Sequence, residues 1–165
     1  MNRPFILQIV GYKNSGKTQL ICKLIEKCVQ AGLRVGSIKH DMHAFEMDHV
    51  GRDTWLHRQA GAEQIAITSP QQTAILFEKS YELDDLIAQM SNLDIVLVEG
   101  FKQADYPKFV MWNKPSDDPY LLTLMNIKAV IMSFPGKYEG KDRFHRDDIS
   151  SIWSYLQRMI KGDIE

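Results

Sequence analysis

The sequence predicts an α/β fold in which a mainly parallel sheet is flanked by helices. Nearly continuous apolar runs of strand length, such as residues 5–10, recur along the chain, as is typical of strands buried on both faces. Segments with apolar residues at helical spacing lie between several of these runs. Strands that alternate with amphipathic helices form parallel sheets, because each helix returns the chain to the edge where the next strand begins.

The first predicted elements form a strand, helix, strand unit. A strand at residues 5–10 leads into a turn-rich loop at 11–16, and apolar residues from Lys17 onward recur at helical spacing until Gly32. A strand at 34–39 completes the unit. The remaining elements are predicted as a helix in the second half of 40–58 that ends near Gly61, strands at 62–68 and 72–78 with Pro70 between them, a helix at 83–90, strands at 94–99, 109–112 and 127–132, and a helix at 149–160 with Asp147 and Asp148 available as caps.

Length, charge and cysteine use limit the function classes. The 165 residues correspond to one domain, which we expect to span residues 1–165. Twenty Lys and Arg against 21 Asp and Glu leave a net charge of -1, which does not favour binding to nucleic acid or to an anionic membrane. Without an 18-residue apolar run or a signal peptide, we expect a cytoplasmic protein. Cys22 and Cys28 point about 120° apart on one helix, so we expect reduced core residues.

Residues 11–18 read Gly-Tyr-Lys-Asn-Ser-Gly-Lys-Thr and match the G-x-x-x-x-G-K-S/T pattern of a phosphate-binding loop at every defined position. The loop follows a buried strand and precedes an amphipathic helix, a context that favours a P-loop NTPase-type sheet over a chance glycine-rich connector. Lys17 is expected to reach the β- and γ-phosphates, and Thr18 to offer its hydroxyl to Mg²⁺. The predicted nucleotide-binding residues are Gly11, Lys13, Asn14, Ser15, Gly16, Lys17, Thr18 and Gln19.

A second acidic position is predicted at the end of the strand at 94–99. Glu99 occupies the carboxyl end of that strand, where ligands bind in open α/β sheets, and we expect it to act with Thr18 on Mg²⁺. Aspartate is the usual residue there, and a solvated strand end is the alternative interpretation. Asp94 begins the same strand about 17 Å away (five steps of ~3.3 Å), so we expect it to serve the start of the strand.

The segment at 40–58 is rich in histidine and acidic residues. It holds four of the five histidines, which are His40, His43, His49 and His57. Three interpretations stay open: a loop near the nucleotide, a solvated surface, and a transition-metal site, although the spacing repeats no zinc pattern. Because the segment follows the strand expected beside the phosphate loop, Asp41 or Asp53 is a candidate to orient water or Mg²⁺ ligands at the γ-phosphate.

Several short blocks together resemble one family. Besides the phosphate loop, they are Lys-His-Asp-Met-His at 39–43, Phe-Glu-Met-Asp at 45–48, Gly-Arg-Asp-Thr at 51–54, His-Arg-Gln-Ala-Gly-Ala at 57–62 and Leu-Val-Glu-Gly-Phe-Lys at 97–102. They are similar to the molybdopterin-guanine dinucleotide biosynthesis adaptor proteins, the MobB family. The resemblance extends from about residue 5 to residue 108 and, more weakly, to the end of the chain.

The resemblance implies a dimeric GTP-binding adaptor with weak GTPase activity and Mg²⁺ as its metal. The family assists the guanylyltransferase that joins GMP to molybdenum-bound molybdopterin, and is thought to bridge that enzyme and the molybdenum-insertion protein. A molybdopterin-type anionic ligand is a further candidate. Matching the motifs residue by residue places Asp41 and Glu99 beside the metal and γ-phosphate, with Lys17 and Asp41 as the predicted catalytic residues.

The resemblance also places the chain in a wider group of P-loop proteins that includes dethiobiotin synthetase and the metallocentre-assembly GTPases. Some positions depart from the pattern of relatives in that group or carry no clear assignment. A signature lysine directly after the first loop glycine is replaced by Tyr12, with Lys13 one position later, so trans-activation by that lysine is not expected. Residues 113–117 read Asn-Lys-Pro-Ser-Asp, one residue too long for the Asn-Lys-x-Asp guanine motif, so the preference for GTP over ATP rests on the resemblance. Arg52 and Arg58 are candidate arginine fingers.

Other function classes remain as alternatives. One is an ATP-dependent ligase or kinase for a small molecule, like dethiobiotin synthetase, and another is a metallocentre-assembly GTPase that delivers metal through the histidine-rich segment.

The aromatic residues Tyr106, Phe109 and Trp112 are interpreted either as part of a dimer or partner surface or as sheet core.

Overall fold

The structure is a computed structural model that describes residues 3–41, 48–117, 119–135 and 142–164. Its strands are β1 (Phe5–Gly11), β2 (Val35–Lys39), β3 (Gln64–Thr68), β4 (Thr73–Phe77), β5 (Ile95–Glu99), β6 (Lys108–Trp112), β7 (Ile127–Met132) and β8 (Asp142–His145). Its helices are α1 (Lys17–Gln30), α2 (Asp53–Gln59), α3 (Leu83–Gln89) and α4 (Ile149–Lys161), with a 3₁₀ turn at Pro119–Thr123. Each predicted element is present, and the bounds agree to within two residues except at α2, which begins at Asp53 rather than near the middle of 40–58. The short strand β8 and the 3₁₀ turn were not predicted.

Six strands form one parallel sheet in the order β2-β5-β1-β6-β7-β8, which confirms the predicted fold class. The expectation that the strand at 34–39 lies directly beside β1 is wrong, because β5 pairs with both and separates them. Every residue of β5 is buried, whereas β2 has only Ile38 buried. The strand β5, apolar except for Glu99 at its end, therefore takes an interior position, and the more polar β2 becomes an edge.

The chain divides into two compact units. One comprises residues up to His40 together with those from Leu86 onward, and contains the parallel sheet and the phosphate loop. The other spans Asp41–Asp85 and contains α2 and the antiparallel ribbon of β3 and β4. In the ribbon, Ile65 lies opposite Leu76, and Ser69 N donates to Gln72 O at 2.8 Å to close the turn. The expectation of one nucleotide-binding domain over residues 1–165 stays a prediction.

The core of the sheet unit lies mainly between the sheet and the two long helices. Buried side chains from four strands point to this face and pack against the apolar stripes of α1 and α4. The cluster includes Leu7, Leu97, Phe109, Ile131, Leu24, Ile152 and Leu156. The opposite face is covered around β6 and β7 by Leu121 and Leu124, which lie in or just after the 3₁₀ turn. Alternation along each strand divides the apolar residues between the two faces.

Burial bears on two sequence interpretations, and it settles the first of them for Phe109 alone. Phe109 is fully buried in the core, while Tyr106 and Trp112 are half-buried. Cys28 is a free, buried core residue as expected, but the same expectation is wrong for Cys22, which is free and exposed. Cys28 lies six residues after Cys22, which turns its side chain by about 120° around the helix axis. The apolar stripe of α1 that buries Cys28 therefore leaves Cys22 exposed.

The amino ends of β2 and β5 are joined by an ion pair. Arg34 donates through Nε to Asp94 Oδ2 at 3.1 Å and through Nη2 to Oδ1 at 2.9 Å, and its backbone N donates to Oδ2 at 2.7 Å. The hydrogen bonds from the Arg34 side chain, and then that from its backbone, lower the pKa of Asp94 to about 2. Asp94 therefore serves the start of its strand, as predicted.

We expect Asp94→Asn to flatten the acid dependence of stability. A carboxyl whose pKa is about 2 in the folded protein, against an ordinary 3.8, stabilises the fold above pH ~4, and this contribution is lost as pH falls through about 2. The wild type should therefore lose free energy of unfolding more steeply than Asp94→Asn across this window, in denaturant titrations at several pH values. Asp163→Asn, at the exposed carboxyl terminus, is the control. Equal slopes for wild type and Asp94→Asn would contradict the assignment.

We expect Gly11→Ala to destabilise the sheet unit, because Gly11 is packed too tightly for a side chain. A Cβ there would lie 2.7 Å from Ser15 Oγ and 2.8 Å from Met111 Cβ on the neighbouring strand. The expected cost is about 1–3 kcal/mol, read from urea unfolding midpoints. Gly32→Ala is the control, since Gly32 has a φ of +79° but open space around its Cβ position; its cost should be about 1 kcal/mol. A Gly11→Ala midpoint no lower than that of Gly32→Ala would contradict the packing argument.

Candidate phosphate-binding site

The phosphate loop connects the carboxyl end of β1 to the amino end of α1. Asn14 and Gly16 adopt left-handed backbone conformations, with φ of 60° and 89°, and Ser15 N donates to Tyr12 O at 3.2 Å. Gly16 is the N-cap of α1 and provides no side-chain hydrogen bond. The helix therefore begins with N–H groups that no capping side chain occupies, and its dipole favours an anion at this point.

Lys17 folds back over the loop that precedes it. Its Nζ donates to Tyr12 O at 2.8 Å and to Gly11 O at 3.2 Å. Burial lowers the pKa of Lys17, the Glu99 carboxylate raises it, and the positive charges of Lys102 and Lys39 lower it. The ammonium group is thus held at the mouth of the loop, among other cations.

Glu99 lies beside the loop because β5 pairs with β1 in the register that places it opposite Ile9. Its Oε2 accepts a hydrogen bond from Thr18 Oγ1 at 2.9 Å, and its Oε1 lies 4.0 Å from Lys39 Nζ. Only 9% of Glu99 is exposed. The structure therefore places a buried carboxylate against the loop rather than a solvated strand end.

The residues at this point fit a magnesium ion. Thr18 and Glu99 bring together a hydroxyl and a carboxylate oxygen, the hard donors that Mg²⁺ prefers. Within the described ranges, no three His, Cys, Asp or Glu residues are grouped so that they could hold a metal by themselves. A metal here would need further oxygen ligands, as Mg²⁺ sites completed by water and phosphate do.

The turn that follows Glu99 is fixed by a buried glutamine that the sequence analysis did not single out. Gln8 is fully buried in β1, and its Nε2 donates to Gly100 O at 3.2 Å and to Phe101 O at 2.7 Å. Its Oε1 accepts from Tyr106 N at 3.3 Å. Phe101 has a φ of 50°, an uncommon conformation that these bonds hold in place. The sequence signal for this role was a polar residue, Gln8, within an otherwise apolar strand.

A buried lysine, Lys108, also helps to hold the segment that follows Glu99. Lys108 is fully buried, and its Nζ donates to Ala104 O at 2.8 Å and to Met125 O at 2.7 Å. Burial lowers the pKa of Lys108, which Asp105 partly offsets. Gln8 and Lys108 together tie residues 100–108 to the centre of the sheet.

Cations surround the Glu99 side of the loop. Besides Lys17 and Lys39, Lys102 reaches over the ring of Tyr12, with its Nζ 5.0 Å from the ring centroid. Tyr12, which takes the place of the signature lysine, thereby holds another lysine near the loop. Lys13 is exposed.

An arginine that the sequence analysis missed lies against the loop from its other side. Arg146 follows β8, and its Nη2 lies 2.5 Å from where a Cβ of Gly16 would be and donates to Gln19 Oε1 at 3.2 Å. Strand β8 reads Asp-Arg-Phe-His and lacks an apolar run, so no sequence pattern indicated that Arg146 lies at the end of a strand.

The histidine-rich segment is divided between the two units. His40 belongs to the sheet unit and stacks on Phe101 with ring centroids 4.5 Å apart, while Asp41 is exposed and begins the second unit. His43 and Glu46 lie outside the described residues. Since Asp41 and the loop lie in different units, its role at the γ-phosphate stays a prediction.

In the second unit, Asp48 and Arg58 have local partners. Asp48 Oδ1 accepts from Thr54 Oγ1 at 2.9 Å, and Arg58 Nη1 lies 3.8 Å from Glu78 Oε1. Asp53 begins α2, and Arg52 is exposed. A transition-metal site therefore gains no support from the described part of this segment.

Residues 113–117, which nearly match a guanine-binding motif, form a turn that the Asp117 side chain closes. Asp117 Oδ2 accepts from Asn113 N at 2.9 Å and from Lys114 N at 3.2 Å. These two hydrogen bonds give the Asp117 carboxylate a role within its own turn, in agreement with a chance match.

Across the described ranges, no helix has the length and apolar character needed to span a membrane.

Comparison with known proteins identifies the family. Residues 6–133 match the MobB family, described as molybdopterin guanine dinucleotide synthesis protein B. A probable molybdopterin-guanine dinucleotide biosynthesis adapter protein of Bacillus subtilis is 33% identical over 98% of this chain and 96% of its own length. The adapter protein of Haemophilus influenzae is 37% identical over 81% and 78%. The crystal structure of a MobB homologue from Bacillus stearothermophilus superimposes with a TM-score of 0.78 at 30% identity, covering 95% of this chain and 98% of that one. Together with the parallel sheet and its phosphate loop, these matches confirm the resemblance seen in the sequence: the chain belongs to the MobB family.

Proposed function

We propose that the protein is a GTP-binding adaptor in molybdopterin-guanine dinucleotide biosynthesis. The proposal rests on one observation above all, the phosphate loop in which Lys17 and the Thr18–Glu99 pair lie at the start of α1. Relatives similar along most of this chain are named as adapter proteins of that pathway. The preference for guanine rests on the family. We also propose a cytoplasmic location, which membership of a biosynthetic adapter family supports.

The residues in and around the loop have distinct parts in the proposed binding. The N–H groups at the start of α1 and the Lys17 ammonium bind the phosphates. Thr18 and Glu99 would hold Mg²⁺, which would neutralise phosphate charge when bound. Gln8 and Lys108 keep the segment after Glu99 in place, so that this carboxylate stays beside Thr18.

We propose at most a weak GTPase activity. Lys17 and the loop N–H groups stabilise charge on the transferred phosphoryl group, while Asp41 orients the attacking water. Arg52 and Arg58 are the candidate arginine fingers, and Arg58 already lies 3.8 Å from Glu78. A cation that is paired elsewhere contributes little to the transition state, in keeping with slow turnover.

Proposed partners follow from the adaptor role. They are the molybdopterin guanylyltransferase and the molybdenum-insertion protein, with the protein between them. The cations Lys39 and Lys102, which flank Lys17, favour an additional anionic ligand of molybdopterin type. The related adapter proteins support this role over an ATP-dependent ligase or kinase and over metal delivery.

We expect Lys17→Ala to lose nucleotide binding while keeping its fold. A charge-assisted contact to phosphate contributes ~3 kcal/mol, so GTP affinity should fall about a hundredfold or more. The measurement is isothermal titration with GTP, ATP and GDP, each with Mg²⁺, and the wild type should prefer GTP. Lys23→Ala, exposed on the same helix, is the matched control. Unfolding midpoints of both variants should equal that of the wild type.

Two outcomes would overturn the proposal in different ways. Normal GTP binding by Lys17→Ala would remove the phosphate loop as the binding site. Equal or stronger binding of ATP by the wild type would favour the small-molecule ligase or kinase.

We propose that the protein is a homodimer, with the ribbon of β3 and β4 in the interface. The ribbon has exposed apolar residues on both faces, since Ile67 is 58% exposed and Ile75, opposite Ala66, is 53% exposed. A two-stranded ribbon is marginally stable by itself, and exposed apolar strands are natural pairing surfaces. A second copy of the chain is the partner that the family implies.

We expect the double variant Ile67→Lys, Ile75→Lys to be a monomer where the wild type is a dimer, because two buried charges would oppose association. Light scattering coupled to size exclusion measures the mass of each. Val29→Lys, at an exposed position on α1 of the sheet unit, should remain a dimer. A dimeric double variant would exclude the ribbon from the interface, and a monomeric wild type would refute the homodimer.

A further inference from the structure

Arg146 is held against the phosphate loop by the structure around it. Its backbone N donates to Met132 O at 2.8 Å, so the end of β8 is fastened to the end of β7. Two residues later, Asp148 caps α4 by accepting from Ser151 N at 3.1 Å. The arginine therefore extends from a short connection that is fixed on both sides, and its side chain reaches the first turn of α1.

The absence of a side chain at Gly16 permits this approach. The Arg146 Nη2 lies 2.5 Å from the position that a Cβ of Gly16 would occupy. Gly16 thus meets two requirements at once, a left-handed backbone and close access for a guanidinium group.

Among the residues that the structure describes, no carboxylate lies within ion-pairing distance of the Arg146 guanidinium. Its polar contact is the neutral amide of Gln19. Asp147, the next residue, lies 3.5 Å from His145 Nδ1 instead. A cation at the amino end of a helix is unfavourable by itself, because the helix dipole is positive there. A bound anion would reverse the sign of this interaction.

The strand order indicates which part of the ligand Arg146 meets. Glu99 and Lys39 approach the loop from β5 and β2, on one side of β1, whereas Arg146 approaches from β8, beyond β6 and β7 on the other side. The Thr18–Glu99 pair marks the side of the metal and the terminal phosphates. The opposite side is left for the end of the phosphate chain that carries the nucleoside.

We propose that Arg146 binds the nucleoside-proximal phosphate of the nucleotide and so contributes equally to the binding of nucleoside diphosphates and triphosphates. This inference rests on the proposed nucleotide-binding function and adds a specific contact to it. The planar fork of an arginine can donate two hydrogen bonds to one phosphate. Gln19 orients that fork through the hydrogen bond to its side-chain oxygen.

The test compares wild type, Arg146→Ala and Arg146→Lys by isothermal titration with GTP and GDP in the presence of Mg²⁺. Arg146→Ala should weaken both nucleotides by about tenfold and by the same factor, because both share the contacted phosphate. Arg146→Lys, which keeps the charge without the fork, should give an intermediate loss. Arg158→Ala removes the same charge from the last turn of α4, about 14 Å along the helix from its start (nine residues at ~1.5 Å), and should bind like the wild type.

The outcomes separate this inference from the function on which it rests. A wild type that binds GTP and GDP, with Arg146→Ala unchanged, would overturn the role of Arg146 alone. A loss confined to GTP would place the arginine at the terminal phosphate and would also overturn it. A wild type that binds neither nucleotide would overturn the proposed function together with this contact. Unfolding midpoints equal to the wild type exclude loss of fold as the cause.

Discussion

The parallel pairing of β1 with β5 is the constraint on which the rest of the candidate site depends. The phosphate loop belongs to the chain that leaves β1, and Glu99 belongs to the end of β5, so only their registration in the sheet brings Thr18 within hydrogen-bond distance of Glu99. On its other side β5 pairs with β2, which becomes the edge strand and has Lys39 opposite Glu99. The two pairings of β5 thus place Glu99 and Lys39 beside each other near the loop.

The sequence was sufficient where function depends on local pattern and insufficient where it depends on long-range pairing. The loop at 11–18, the start of α1 at Lys17 and the position of Glu99 at a strand end were all predicted, because each is defined by neighbouring residues. The order of strands was not, since the pattern of β5 shows that it is buried but not which strands flank it. Arg146 was missed for the same reason, as it reaches Gln19 across 127 positions of the sequence.

The local electrostatics of the site differ from those of the whole chain. The net charge of -1 gives no indication of an anion-binding protein. Around the loop, however, Lys17, Lys39 and Lys102 gather on one side and Arg146 on the other, with Glu99 as the buried acid between strands and helix. Such local concentration arises because parallel strands bring their carboxyl ends to one edge, where residues distant in sequence add their fields.

The hydrogen bonds of Lys17 have a consequence for the speed of ligand capture. An ammonium group has three donors, and Lys17 commits two of them to Tyr12 O and Gly11 O. The four-carbon side chain is therefore already ordered by folding, and the rotamer freedom that a mobile lysine would lose on binding is largely gone beforehand. With its third donor available, Lys17 meets an arriving phosphate without a conformational search. Capture should then be governed by diffusion in the positive field of the site, so the association rate should decline with increasing ionic strength.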